Sequence, residues 1–460
     1  MKKTLLYMLL ALVFVVTGCR NSSKREFNHL LLELADGDQV IDHHDWVTIA
    51  DYLDHQKAHF REFYKDDQLD AKAVKEYISD FFAHRRPPKT ISFVGIGEEL
   101  KFHIYLERSG SMKPYDSPNG DGSFRAAVMA LQNSLPGKSS VDSIGEQGYT
   151  DFRQIFDNIL NKTTDRDVSI LVTDLIYSTR DMQGVNPQKV FNEAQEMINA
   201  VFKDEVKRKA MLVVRMMGSY NGPYYAYDNS VYAYNGRRPY YIIIVGSNDA
   251  IAQLTNDAQF RTFANMSDMR GYDNMCLFAT KPIYHPYCSF LLQNDNIRGK
   301  FRVAHGQDNQ ITRLTDVTPD KDSGDLQLAL AVDLSKMFID ERYLTDPQNY
   351  QVDADDEFKI KEIRKLSDKD LTQKEKKYVA SATHLFILSA KEVHHSDEVE
   401  IRLLNRLPDW VSAASTDNDL VPNATTTFAL RYLLNGIYDS YKRNADDEPA
   451  YFELTLHLED

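Results

Sequence analysis

The segment IYLERSGSM, residues 104–112, places oxygen-bearing side chains directly after an apolar run. Glu107, Ser109 and Ser111 occupy alternate positions, so an extended loop can point all three toward one centre. Gly110 between the serines permits a close approach of the backbone. These three side chains are therefore candidate ligands of a metal ion.

Two later segments carry side chains of the same kind. GYTDF, residues 148–152, contributes Thr150, and VSILVTDL, residues 168–175, contributes Asp174 after an apolar run. Hydroxyls and carboxylates without histidine or thiol form a hard-oxygen set, which suits Mg²⁺, Mn²⁺ or Ca²⁺ rather than zinc. We predict a site for one of these cations and no organic cofactor.

The elements around these segments predict a doubly wound α/β domain with a mostly parallel sheet, spanning residues 91–294. Four near-continuous apolar runs alternate with amphipathic segments: KFHIYL, VSILVTDL, AMLVVRMM and YYIIIVGS. This alternation is typical of a sheet covered by helices on both faces. In such sheets, ligands bind at the carboxyl ends of the strands, where the oxygen-bearing residues lie.

YLERSGSM, GYTDF and ILVTDL, in this order, resemble the three metal-site segments of a von Willebrand factor type A (vWA) domain. That family is a doubly wound α/β domain that binds a divalent cation and usually uses it to engage an acidic partner. It is mostly an adhesion module and seldom an enzyme. The resemblance covers roughly residues 98–290 and implies a cation site with five ligands: Glu107, Ser109, Ser111, Thr150 and Asp174.

This chain departs from the family pattern at two positions. Glu107 replaces the usual first aspartate and is one methylene longer, and Leu175 stands where a glycine typically follows the third motif. Either the cation site is retained with a displaced ion, or the fold is retained with a degenerate site.

The N-terminus has the pattern of a secretory signal. MKKTLLYMLLALVFVVTGC, residues 1–19, has two lysines, an apolar run too short to span a bilayer comfortably, and small residues before Cys19. Its end, VTGC, resembles the lipobox of bacterial lipoproteins. The resemblance implies that residues 1–18 are removed and Cys19 is lipidated. We expect a cell-envelope protein anchored to a bacterial membrane, on either its periplasmic or its surface face.

Two further regions flank the predicted α/β domain. Residues 19–90 contain a tether and a helical region, with Asp45 and Asp70 as predicted N-caps. Residues 295–460 alternate with period two in DLQLALAV, THLFILSA, EVEIRLL and YFELTLHL, which predicts an antiparallel β-sandwich. Within it, TTTFALRYLLNGIYDSYKR has helical spacing and is predicted to pack across an end of the sandwich.

Residues 220–241 form a tyrosine-rich stretch with two Asn-Gly pairs, which predicts a hairpin. Tyrosines on an exposed hairpin can bind a sugar or a protein, or they can pack the hairpin onto the sheet. The candidate binding tyrosines are Tyr224, Tyr225, Tyr227, Tyr232 and Tyr234.

Cys276 and Cys288 are the two cysteines other than Cys19. An envelope compartment can oxidise such a pair, and the alternative is two buried free thiols.

The net charge of −14, without a concentrated basic face, argues against a nucleic-acid partner. We predict a non-catalytic protein that binds a protein or a glycan at the membrane surface. Two other classes stay open. A metal-dependent hydrolase would need a general base, for which only Asp116 or Asp151 can be named, and a scaffold with a vestigial site would have Arg108 or a lysine near Glu107.

Overall fold

The structure is a computed structural model. It describes residues 23–35, 39–41, 43–65, 67–86, 88–93, 96, 100–135, 139–145, 152–176, 185–203, 205–228, 230–256, 266–305, 307, 310–337, 339–355, 357–379, 381–391, 397–421 and 423–459. The chain forms two compact units. The α/β unit comprises Glu98–Tyr284 and Leu404–Phe452, and the second unit comprises Met1–Gly97, His285–Leu403 and Glu453–Asp460.

The α/β unit contains a six-stranded sheet and five helices of eight or more residues among the described segments. Its elements are β1 (Lys101–Glu107), α1 (Ser123–Ser134), β2 (Ser140–Ile144), α2 (Phe152–Lys162), β3 (Asp167–Thr173), α3 (Pro187–Phe202), β4 (Lys209–Tyr225), β5 (Val231–Ser247), α4 (Asn248–Asn256), β6 (Tyr272–Phe278) and α5 (Leu430–Asn444). The strand order is β6-β4-β5-β3-β1-β2. All four strands predicted from apolar runs are present, and the mixed α/β class is confirmed.

The sheet is mixed rather than mostly parallel, because three of its five strand pairings are antiparallel. β1 pairs in parallel with β2 and with β3, whereas β5 is antiparallel to both β3 and β4, and β6 is antiparallel to β4. The reason is the connection between β4 and β5, a tight turn closed by a 2.9 Å bond from Ala226 N to Ser230 O. A hairpin joins only antiparallel neighbours, since parallel strands need a longer crossover.

The helix α5 packs in the α/β unit, which corrects its predicted place on the sandwich. Its apolar side chains recur three and four residues apart and are buried: Leu430, Leu433, Leu434, Ile437 and Tyr441. They belong to the same core as α3 and strands β3 to β6. The sequence shows that this helix has one apolar face, but it does not show which sheet covers that face.

The second unit joins the N-terminal helices to two further sheets. A four-stranded antiparallel sheet contains, in spatial order, Cys288–Leu291, Asp325–Val332, His384–Lys391 and Lys359–Lys365. A five-stranded sheet contains Lys300–Val303, Arg313–Thr318, Ala450–Leu458, Asp397–Leu404 and Tyr350–Asp353. Arg313 pairs in parallel with His457. The five-stranded sheet is therefore not wholly antiparallel, whereas an antiparallel sandwich was predicted.

The N-terminal region is helical at residues 23–35, His43–His55 and Ala71–Ala83. The predicted N-cap Asp70 is confirmed, because its carboxylate accepts hydrogen bonds from the backbone of Lys72 and Ala73 at 3.0 and 3.2 Å. The predicted N-cap Asp45 is wrong, since the helix already begins at His43 and Asp45 lies in its first turn.

Cys276 and Cys288 are buried free thiols rather than a disulfide. Cys276 lies on β6 opposite Val213, and Cys288 lies on the edge strand of the four-stranded sheet opposite Val332. Burial raises the pKa of both thiols, to about 12 for Cys288. Each side chain therefore acts as a small apolar group of the core.

We expect a thiol reagent to reach neither cysteine in the folded chain, because both are nearly inaccessible and their thiolate forms are disfavoured. A colorimetric disulfide reagent applied to the mature chain with Cys19 replaced by serine should detect no thiol before denaturation and two afterwards, without reductant. Detection of thiols only after reduction would show a disulfide and contradict the free state.

Candidate functional site

The carboxyl ends of β1 and β3 lie side by side and bring Glu107 next to Thr173. The two strands pair in register up to Leu106 and Val172, so the following residues are level with each other. The hydroxyl of Thr173 donates a hydrogen bond to Oε2 of Glu107, and its oxygen accepts one from Leu175 N at 2.9 Å. Glu107 is buried, and its carboxylate is held by Thr173. The sequence patterns did not identify Thr173 as part of the site.

The segment that follows β1, residues 108–116, is called the serine loop here. Its two serine side chains, Ser109 and Ser111, are buried. Ser109 precedes a 3-10 helix, Gly110–Asp116, that contains Ser111. The two hydroxyl oxygens are 2.9 Å apart. The hydroxyl of Ser111 also lowers the pKa of Asp174, against the larger effect of burial. Either hydroxyl can be the donor between the serines. The extended loop predicted for this segment is therefore wrong, because Ser111 lies in a 3-10 helix, although the two hydroxyls are close together.

Asp174 is buried, and the hydrogen bonding of its carboxylate is incomplete. Its side chain is 1% exposed, and its Oδ1 accepts a 3.2 Å hydrogen bond from Ile176 N. Its Oδ2 is buried and has no hydrogen-bond partner among the described residues. Burial raises the pKa of this carboxyl, against smaller lowering effects from Ser111, Ile176 N and the charge of Arg238. A buried carboxylate oxygen without a partner is where a water or an ion is expected.

The turn after Asp174 is strained. Leu175 has a φ of 54°, in the left-handed region that residues with a Cβ seldom adopt. A glycine would adopt this conformation without that cost, whereas leucine loses roughly 1 kcal/mol or more. Leu175 therefore has a backbone conformation that favours glycine, and it stands at the position where the third motif is typically followed by a glycine.

Thr150, the remaining predicted ligand, lies outside the described residues, as do Asp151 and Cys19. The other four predicted ligands lie at the carboxyl ends of two neighbouring strands: Glu107 ends β1, Ser109 and Ser111 follow it, and Asp174 follows β3. Among the described residues, no group of three or more histidine, cysteine, aspartate or glutamate side chains could hold a metal ion. These two strand ends therefore offer two carboxylates and two hydroxyls rather than a carboxylate-rich cage.

Of the two arginines Arg108 and Arg238, it is Arg238 that is buried. Arg108 is exposed, whereas Arg238 is 1% exposed on β5. The guanidinium lies over two rings, with its centre 4.2 Å from the Tyr224 ring and 5.5 Å from the Tyr220 ring. Sequence reasoning missed this residue, and its only signal was a charged side chain next to the apolar run PYYIIIV.

Only two of the five candidate hairpin tyrosines present exposed rings. Tyr224 is buried and donates a 2.8 Å hydrogen bond to Oδ2 of Asp419, and Tyr227 and Tyr234 are half-buried. Tyr225 and Tyr232 are 37% and 36% exposed. The hairpin therefore packs mainly against its own unit and leaves a small aromatic surface near its turn.

Tyr225 also lies against the serine loop. A Cβ added at Gly110 would be 3.5 Å from the Tyr225 ring, so the ring lies over this glycine with room for about one methyl group. On the hairpin, Gly222 approaches Pro114 of the same loop so closely that a Cβ there would be 2.9 Å from the proline ring. The hairpin thus covers the segment that carries Ser111.

Asp116 is the candidate general base of a hydrolase that lies among the described residues, and it forms an ion pair with Arg125. Asp116 forms a bidentate ion pair with Arg125, with oxygen to nitrogen distances of 3.0 and 2.7 Å. This pair is exposed to solvent, and Arg125 holds both carboxylate oxygens. Asp116 is therefore poorly placed to activate a water at Asp174.

Comparison with known proteins gave no match for this chain, whether against family models, curated proteins or solved structures. Within the described residues, no helix combines the length and apolar character that a bilayer crossing requires.

Proposed function

We propose that this chain is a lipid-anchored cell-envelope protein whose vWA-like α/β unit binds a protein or a glycan without catalysis. Cys19 is the proposed lipidation site, and the edge of the sheet around Asp174 is the proposed recognition site. The order of the three resembling segments supports this proposal, as do the paired hydroxyls of Ser109 and Ser111 near Asp174. The glycine-like turn at Leu175 is a further point in its favour.

One observation carries the proposal of a cation at this site. Asp174 presents a buried Oδ2 without a partner beside the paired hydroxyls of Ser109 and Ser111. Oxygen ligands of this kind fit Mg²⁺, Mn²⁺ or Ca²⁺, and bound water completes the coordination of such ions. Glu107 would bind the ion through the carboxylate that Thr173 holds in place, either directly or through a water.

The proposed partner contacts the protein beside the ion. The described ligands are buried, so the cation orders the loops at the end of β1 and β3. The nearest exposed rings on the hairpin are Tyr225 and Tyr232, which supply rigid amphipathic area for a protein or a sugar. The lipid keeps this surface at the membrane.

Calorimetric titration of the mature chain with Mg²⁺, Mn²⁺ and Ca²⁺ tests the cation site. We expect binding of at least one ion, weakened about tenfold in Ser109→Ala because one oxygen ligand is lost. Ser143→Ala, at an exposed position on β2, is the matched control and should bind like the parent. An absence of heat in the parent with all three ions would refute the cation site.

A library of phosphate and ester substrates tests the non-catalytic assignment. The mature chain, loaded with whichever ion it binds, should show no turnover above the rate of the same ion in buffer. Turnover that disappears in Ser109→Ala would instead assign the site to a hydrolase.

A further inference from the structure

Arg238 is a buried cation whose hydrogen bonds are incomplete. Its Nε and Nη1 are both buried and have no hydrogen-bond partner among the described residues. An unpaired buried charge is costly, so a guanidinium in this state needs an electrostatic partner nearby. The rings of Tyr220 and Tyr224 supply part of this compensation through their faces.

The register of the sheet brings Arg238 toward Asp174. Thr173, the last residue of β3, pairs with Tyr241 on β5. Asp174 therefore comes level with Tyr240, and Arg238 lies two residues further along β5 on the same face of the strand. The two side chains also interact electrostatically, because the charge of Arg238 lowers the pKa of Asp174 against the larger effect of burial.

Each of these two groups lacks what the other supplies. Asp174 has a buried oxygen without a hydrogen-bond donor, and Arg238 has two buried N–H groups without an acceptor. Neither forms a direct ion pair with the other among the described residues, so the attraction acts across a gap. In a buried setting this attraction is weakly screened and remains substantial over several ångströms.

The guanidinium is held in this position by its own surroundings. Tyr224, which lies closest to it, is anchored by its hydrogen bond to Asp419, and Asp419 also accepts a 3.0 Å bond from Tyr227 N. Tyr115 packs edge-on against Tyr220, with ring centroids 4.9 Å apart. Arg238 therefore cannot move away from Asp174 without breaking up this aromatic cluster.

We propose that Arg238 is a resident counter-ion of Asp174 that keeps the affinity of the site for divalent cations low. The guanidinium already supplies positive charge to the carboxylate, and it repels any ion that binds there. The inference rests on the proposed cation site, and it adds that the site is tuned toward weak occupancy by a residue of the neighbouring strand. Arg238 acts through its charge on Asp174 and is not itself a ligand of the cation.

Calorimetric titration of Arg238→Gln with Mn²⁺ and Mg²⁺ tests this proposal in the mature chain. We expect the variant to bind at least about tenfold more tightly than the parent, because the competing charge is gone. Arg238→Lys keeps the charge and should bind like the parent. Arg237→Gln, at the exposed position next to it, is the matched control and should also leave the affinity unchanged.

Equal cation affinity in the parent and in Arg238→Gln, or binding in neither, would overturn the counter-ion proposal. Tight binding in Arg238→Gln with none in the parent would support it, while showing that the natural chain does not use a cation. Binding in the parent that Arg238→Gln leaves unchanged would support the proposed function and refute the counter-ion. The two proposals can therefore fail separately.

A double-variant comparison keeps the proposal testable if Arg238→Gln folds poorly. Asp174→Asn removes the other charge of the pair, so the variant that carries both substitutions should melt at a higher temperature than Arg238→Gln alone. Strict additivity of the two single effects would show that the residues do not interact and would overturn the proposal.

Discussion

Replacement of Asp174 by asparagine is expected to weaken divalent-cation binding by at least about 100-fold. Asparagine keeps the side-chain oxygen that accepts from Ile176 N, so the turn after β3 is retained. It removes the negative charge, and the unpaired Oδ2 is replaced by an amide nitrogen, which cannot coordinate a cation. The loss should appear in calorimetry with Mn²⁺ as the near disappearance of binding heat.

Asp116→Asn is the matched control for this result. Asp116 is also a carboxylate in the serine loop, but it is exposed and paired with Arg125. Its replacement should change cation affinity by less than about twofold, as expected for an exposed ion pair. If Asp174→Asn bound cations like the parent, the ion would be held elsewhere and the predicted ligand set would be wrong.

The extra methylene of Glu107 suggested a displaced ion or a degenerate cation site. In the structure, the longer side chain contacts the neighbouring strand. The longer side chain reaches Thr173 on the neighbouring strand, and the threonine hydroxyl holds it there. Thr173 in turn orients the backbone of Leu175, which is the strained residue of the turn. Glu107 therefore helps to hold the end of β3 in place, in addition to any contact with an ion.

The sequence was sufficient where local pattern decides the structure. The apolar runs that became β1, β3, β4 and β5 were recognisable because such strands are buried on both faces. Asp70 was recognised as a helix cap from its side-chain chemistry. The hydroxyls of Ser109 and Ser111 do lie 2.9 Å apart, but at the start of a 3-10 helix rather than on the predicted extended loop.

The sequence was insufficient where distant segments decide the structure. Thr173 and Arg238 are polar residues beside apolar strands, and their roles depend on which strands become neighbours. Strand direction at β4 and β5 depended on a tight turn rather than on strand composition. The packing of α5 depended on which apolar surface was left uncovered, which periodicity does not show.

Leu434→Ala is expected to lower the free energy of unfolding of the α/β unit by about 3 kcal/mol. Leu434 is fully buried in the core shared by α5, α3 and the sheet, so the substitution leaves a cavity that the packed surroundings fill only partly. Denaturant unfolding measures the loss. Hydrogen exchange locates it, because amides of β3 should exchange faster while amides of His384–Lys391 keep the parental rate.

Asn435→Ala, one residue further along the same helix, is the matched control. Asn435 is exposed, so its replacement should change stability by less than about 0.5 kcal/mol. Faster exchange in His384–Lys391 rather than in β3 after Leu434→Ala would place the helix with the four-stranded sheet, as the sequence pattern had predicted. Because α5 shares its core with β3, whose end carries Asp174, a loosened helix should also weaken cation binding in Leu434→Ala and not in Asn435→Ala.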